Sequence, residues 1–237
     1  MAKIVLFDLD GTLLPMDQEI FTKTYFKLLA ARLMPHGYEA DKLIDGIWTG
    51  TAAMVKNDGS RTNEAAFWDR FAQIFGEHVR KDEPIFDDYY RTDFQQVAQV
   101  CGRAPEARAV IDELKAAGAR VALATNPIFP AVATESRICW AGLEPEDFEF
   151  YTTYENSYHC KPNPEYYRDI LAKLGCEGRD CVMVGNDVEE DMVPAASLGM
   201  EVFLLTDCLI NKKERDINVW PHGGFAELRE FLKEKVK

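Results

Sequence analysis

The sequence predicts an α/β protein: a doubly wound parallel sheet with a second, smaller all-helical unit inserted after the first strand. Three observations predict it. Short apolar runs alternate with amphipathic helical patterns, the order that builds β-α-β units. The runs are apolar throughout, as strands covered on both faces require. Between residues 17 and 97 the alternation stops, and only helical patterns remain.

The elements follow in order. Lys3–Phe7 reads as a buried strand. Helical patterns then cover Glu19–Leu33, Glu39–Met54, Asn63–Phe75 and Pro84–Val97. Pro105–Ala117 opens on proline, which suits the first helical turn, and stops at Gly118. Arg120–Ala124 is a second strand and Phe148–Thr152 a weaker third. Pro164–Leu174 is a helix bounded by its proline and Gly175. Strand Cys181–Val184, helix Val188–Leu198, strand Glu201–Leu205 and helix Phe225–Lys235 complete the chain. The core is therefore discontinuous, residues 1–16 and 98–237, with a helical unit at 17–97.

Composition bounds the partners. With 47% hydrophobic and 28% charged residues, the chain is an ordinary globular one. A net charge of −13 repels nucleic acid and anionic membranes, so neither is an expected partner. No apolar stretch is long enough to span a membrane, and no signal peptide is visible. None of the six cysteines forms a C-x-x-C pair, and reduced thiols in the cytoplasm are expected. Either a monomer or a homodimer fits the sequence.

Ligand sites in open parallel sheets lie beyond the carboxyl ends of the strands, so the residues there carry the functional reading. After the first strand come Asp8 and Asp10, two residues apart and facing one way in an extended segment. Two close carboxylates repel unless a cation joins them. A hard ion such as Mg²⁺ would take an Asp8 oxygen and the Asp10 carbonyl, and Gly11 permits the turn that follows. An ordinary acidic turn is as good a reading of these residues alone. After the second strand, Thr125 and Asn126 offer a hydroxyl and backbone N–H groups to phosphate oxygens, although turn residues also look like this. After the third, Lys161 lies in a proline-flanked loop, a fixed cation unless it is merely solvated. His159 nearby is a structural histidine or a second base. After the fourth come Asn186 and Asp187, then Glu189, Glu190 and Asp191; helix capping accounts for some of these acids, but not for a second acidic cluster beside the first.

In this order the groups resemble the haloacid dehalogenase superfamily. Phe7-Asp8-Leu9-Asp10-Gly11-Thr12-Leu13 is similar to its first motif, and Thr125, Lys161 and Gly185–Asp191 to the second, third and fourth. The helical insert resembles that family's cap, so the resemblance spans nearly the whole chain. It implies a Mg²⁺-dependent phosphatase acting on a small phosphorylated metabolite. Asp8 would be the nucleophile and Asp10 the general acid/base. Thr125 and Lys161 would hold the phosphoryl group, and Asp191 would orient Lys161 or a bound water. One position departs from the pattern: Asn186 stands where family members often carry an aspartate metal ligand, so either Asn186 or Asp187 supplies that contact. Trp48, Thr49, Lys56 and Arg61 are candidate cap contacts to substrate, whereas Phe21, Tyr25, Phe67, Trp68 and Phe71 read as helix packing. A phosphomutase, a phosphorylation-switched signalling domain and a non-catalytic binder are the rival readings. The signalling domain would want its acceptor aspartate after the third strand, where the sequence offers none.

Overall fold

A computed structural model describes residues 3–236. Five parallel strands form one sheet in the order β2-β1-β3-β4-β5: β1 is Ile4–Phe7, β2 Arg120–Leu123, β3 Cys181–Gly185, β4 Glu201–Leu205 and β5 His222–Gly223. β1 lies inside the sheet and pairs with β2 on one side and β3 on the other. Its side chains alternate between two apolar clusters. Val5 and Phe7 enter one, with Val110 of α5 (Pro105–Ala116), Ile138 of α6 (Ala131–Trp140) and Leu228 of α9 (Phe225–Lys235). Ile4 and Leu6 enter the other, with Ile170 of α7 (Pro164–Leu174) and Ala195 of α8 (Val193–Ser197). Burial on both faces is the physical reason these strands lack polar alternation.

Four helices lie between β1 and α5: α1 (Gln18–Leu33), α2 (Ala40–Val55), α3 (Asn63–Phe75) and α4 (Glu83–Arg91). Aromatic rings hold them together. Phe71 is fully buried, with ring centroids 5.5 Å from Phe67, 4.5 Å from Phe75 and 5.7 Å from Phe86. α2 meets α3 at Gly46 and Gly50, where a Cβ would stand 2.5 Å from Phe75 and 2.6 Å from Phe67. The start of α3 is fastened to the sheet-side loops through buried Asn63. Its backbone N–H donates to Ser157 O at 2.9 Å, and its Nδ2 donates to Pro127 O at 3.2 Å. The chain leaves toward α1 and returns side by side, with Met16 and Cys101 bridged and Gly102 N–H donating to Pro15 O at 2.6 Å.

The structure departs from the sequence expectation at five elements. The third strand expected at Phe148–Thr152 runs beside β2, with Glu149 N–H donating to Val121 O at 2.8 Å, Leu123 N–H to Phe150 O at 2.8 Å and Thr152 N–H to Leu123 O at 3.1 Å, but it forms one bridge, Leu123 to Tyr151, and no full strand. The pattern at Val188–Leu198 is a π-turn, Val188–Met192, running into α8. The fourth helix ends at Arg91, and residues Asp93–Val100 tighten into a 3₁₀ segment. Helix α6 and strand β5 were not expected at all.

Replacing Phe71 by alanine removes the ring that joins α2, α3 and α4. The expected cost is about 3–5 kcal/mol, read from the urea midpoint of the variant against the parent.

Candidate active site

Because every strand runs the same way, their carboxyl ends bring four loops together. The Asp8 backbone N–H donates to Val184 O at 2.9 Å, which carries the β1–β3 ladder one residue past the strand. Asp8, Asp10, Thr125, Asn126, Asn186 and Asp187 all line one cavity of about 700 Å³. Lys161 reaches the site from beneath. Its Nζ donates to Asp8 Oδ1 at 2.8 Å and to Asp191 Oδ1 at 2.6 Å, and the residue is 1% exposed. Burial pulls its pKa down, but Asp191 and Asp8 outweigh that pull and hold the ammonium charged, well above the ordinary lysine value. Asp191 fixes the next loop as well, since its Oδ2 accepts the Asp187 backbone N–H at 3.0 Å. Gly185 makes this approach possible: a Cβ there would lie 2.2 Å from the Asp191 carboxylate.

The other Asp8 oxygen faces Thr12, whose hydroxyl lies 3.3 Å from Asp8 Oδ2 and 3.0 Å from Asn186 Oδ1. The Asn186 amide has a fixed orientation because Nδ2 donates to Cys208 O at 2.7 Å, which turns Oδ1 toward the carboxylates. Gly11 lies against it at φ 86°, a left-handed conformation; a Cβ there would sit 2.3 Å from Asn186 Nδ2. Asp187 is used differently. Its carboxylate accepts from Glu189 N–H at 2.8 Å and Glu190 N–H at 3.0 Å, capping the π-turn.

Asp10 forms an ion pair with Arg137 of α6, a fully buried guanidinium that stacks 4.4 Å over the Phe129 ring. Burial raises the Asp10 pKa, Arg137 pulls it back and Asp8 pushes it up again; the net direction is upward. Asp10 Oδ2 receives Arg137, while the buried Oδ1 has no partner. Asn126 is similar: its Nδ2 donates to Glu190 Oε2 at 3.0 Å, and its buried Oδ1 is unpaired. Unpaired buried oxygens are costly, and both residues line the cavity where a ligand would come. The Thr125 main chain is pinned by Thr152 Oγ1 at 2.6 Å and Tyr166 OH at 2.8 Å, both donating to its carbonyl.

Of the expected cap contacts, only Trp48 lines the cavity. Thr49 bonds back to Asp45 O at 2.7 Å and Arg61 pairs with Asp69 at 2.6 Å, while Lys56 is exposed outside it. Phe21, Tyr25, Phe67 and Trp68 pack the helices as expected, and they also wall the cavity, whereas Phe71 only packs. His159 faces Asp169 at 2.8 Å, away from the cavity. Arg137 was missed with its helix. Pro130 just before it and Gly142 just after were the available signals, but small and polar residues blur the apolar stripe between them.

The fold and site together define a hydrolase class. The family model for haloacid dehalogenase-like hydrolases matches residues 2–199, and the chain belongs to that family. A glyceraldehyde 3-phosphate phosphatase of Methanothermobacter thermautotrophicus is 26% identical over 245 residues, covering 98% of this chain and 100% of that one. A phosphoglycolate phosphatase of Yersinia pestis is 28% identical over 205 residues, covering 85% and 80%. The crystal structure of a phosphatase of the same family from Thermococcus onnurineus superposes with a TM-score of 0.62 at 19% identity, over 99% of this chain and 100% of that one, a likeness of fold. The chain is thus an enzyme of the haloacid dehalogenase-like hydrolase family, and the curated relatives it resembles here are phosphatases.

Arg137→Ala leaves Asp10 without its only charged partner and frees it to turn. The expected result is a loss of about 100-fold in kcat for p-nitrophenyl phosphate, partly restored by Arg137→Lys, with far-UV circular dichroism unchanged.

Proposed function

We propose that this chain is a Mg²⁺-dependent phosphomonoester hydrolase that works through an aspartyl-phosphate on Asp8. One observation carries the reading: a carboxylate held by a buried ammonium shares a cavity with a second carboxylate that keeps one oxygen unpaired. An Asp8 oxygen attacks phosphorus, the ester P–O bond breaks, and Asp10 gives its proton to the departing oxygen. Asp10 then takes a proton from the water that attacks the aspartyl-phosphate, and inorganic phosphate leaves with Asp8 regenerated. Burial, by favouring the protonated form of Asp10, prepares the first of these steps. Lys161, the Thr125 hydroxyl and Asn126 hold the phosphoryl oxygens.

The charge balance calls for a divalent cation. Lys161 already answers Asp8 and Asp191, and Arg137 answers Asp10, so an entering phosphate dianion finds no free positive charge among these groups. Among the described residues no cluster of three or more His, Cys, Asp or Glu stands at metal-ligating spacing. The donors present are instead an Asp8 carboxylate oxygen, the Asp10 carbonyl and Asn186 Oδ1. Such a short set of hard oxygens suits Mg²⁺, which keeps several waters. Asn186 is the better third donor than Asp187, whose carboxylate is engaged in capping. Bound there, Mg²⁺ would neutralise charge on the transferring group.

Residues 17–97 serve as the cap over a core of 1–16 and 98–237; the adjacent exit and return at Met16 and Cys101 support that division. Small phosphorylated metabolites are the substrate class, as the names of the relatives favour. The free cysteines suit a reducing cytoplasm.

Asp8→Asn should lower phosphate release from p-nitrophenyl phosphate by roughly a thousandfold or more while the thermal unfolding curve stays cooperative. Parent-like turnover by that variant would remove Asp8 from the chemistry. Excess EDTA should abolish turnover and added Mg²⁺ restore it; unaffected activity in EDTA rules out the metal.

A further inference from the structure

The cavity is larger than its chemistry needs. At about 700 Å³ it matches the pockets that enclose drug-sized ligands, whereas a phosphoryl group with a two- or three-carbon remnant would leave most of it wet. The strand-tip residues line one end. Elsewhere the wall is aromatic, with Tyr25 and Phe26 from α1, Trp48 from α2, Phe67 and Trp68 from α3, and Tyr154 from the loop before α7. Trp48 remains 52% exposed even though its ring lies 5.3 Å from Phe26. A large apolar ring left uncovered inside a concave site is surface that a ligand would bury.

Charge narrows the choice further. Glu64, Glu83, Asp87 and Glu155 line the same cavity. Burial raises the Glu64 pKa, and Glu155 and Glu83 raise it more, so these acids already repel one another. Arg80 is there too, but its guanidinium donates to Asp69 at 2.6 Å and to Glu77 at 3.0 Å. Lys212 belongs to the loop whose Ile210 donates to Asn186 O, and so stands at the phosphate end. A second acidic group on the substrate, away from the phosphate end where Lys212 stands, would be desolvated among these carboxylates, where Arg80 is already paired.

We infer, resting on the phosphatase reading above, that the leaving group is a ring-bearing apolar alcohol carrying no second acidic group. The rings give it edge and face contacts, and the carboxylates exclude acidic analogues by repulsion, which is specificity by an unfavourable term.

The test compares kcat/KM of the purified full chain, with Mg²⁺, on benzyl phosphate, 4-carboxybenzyl phosphate and 2-hydroxyethyl phosphate. Benzyl phosphate should exceed each of the others by about tenfold or more. Trp48→Ala should narrow the ratio of benzyl to hydroxyethyl ester, and Glu64→Gln the ratio of benzyl to carboxybenzyl ester. A preference for the hydroxyethyl or the carboxybenzyl ester overturns this inference and leaves the phosphatase reading standing. So do ratios that neither variant moves. Failure to release phosphate from all three esters overturns both.

Discussion

The Lys161 ammonium, 2.8 Å from Asp8 and 2.6 Å from Asp191, is the contact on which the site depends. All three groups are buried, and a buried charge persists only when paired and hydrogen-bonded. Remove the lysine and two carboxylates are left facing each other in a poorly solvated space. Remove Asp191 and the ammonium loses the partner that also holds the Asp187 backbone. The triad therefore joins the ends of β1 and β3 to the loop before α7, and it fixes the Asp8 carboxylate at the edge of the cavity. Gly185 is part of the same constraint, because no side chain fits between its backbone and Asp191.

A second ion pair joins the buried Arg137 guanidinium to the half-buried Asp10 carboxylate. The two aspartates thereby acquire different characters from their surroundings. Asp8 accepts a hydrogen bond from a buried ammonium at 2.8 Å, the setting that the proposed nucleophile needs. At Asp10 the proton-bearing form is favoured despite its guanidinium partner, the setting that the proposed general acid needs. Identical residue types two positions apart are distinguished only by what packs against them. The helices α1–α4 add a third level. Their aromatic packing closes the space above the carboxylates, and the same rings that stabilise the helices become the walls a substrate would meet.

Much of this was legible in the residues. The strands β1, β2, β3 and β4 follow from apolar runs that only a sheet covered on both faces would tolerate, and α5 and α7 from proline and glycine at their bounds. Asp8, Asp10, Thr125 and Asn186 could be placed near one another because each follows a parallel strand. Phe148–Thr152 was read in the right place, beside β2 at the sheet margin, but its three backbone hydrogen bonds to β2 close one bridge and no full strand. β5 escaped notice because a two-residue strand has no periodicity to read. Arg137 escaped because an arginine amid small residues looks solvated until the fold buries it.

What the sequence by itself determined is the order of elements and the identity of the groups at the strand ends, since periodicity, turn chemistry and parallel topology are local or follow from short-range rules. What only the tertiary structure decided is partnership: that Arg137 meets Asp10, that Asn186 turns its oxygen inward while Asp187 caps a turn, and that aromatic residues of α1–α3 enclose a cavity. Those outcomes depend on contacts between residues far apart in the chain, whose energies arise from burial and desolvation that no local pattern encodes.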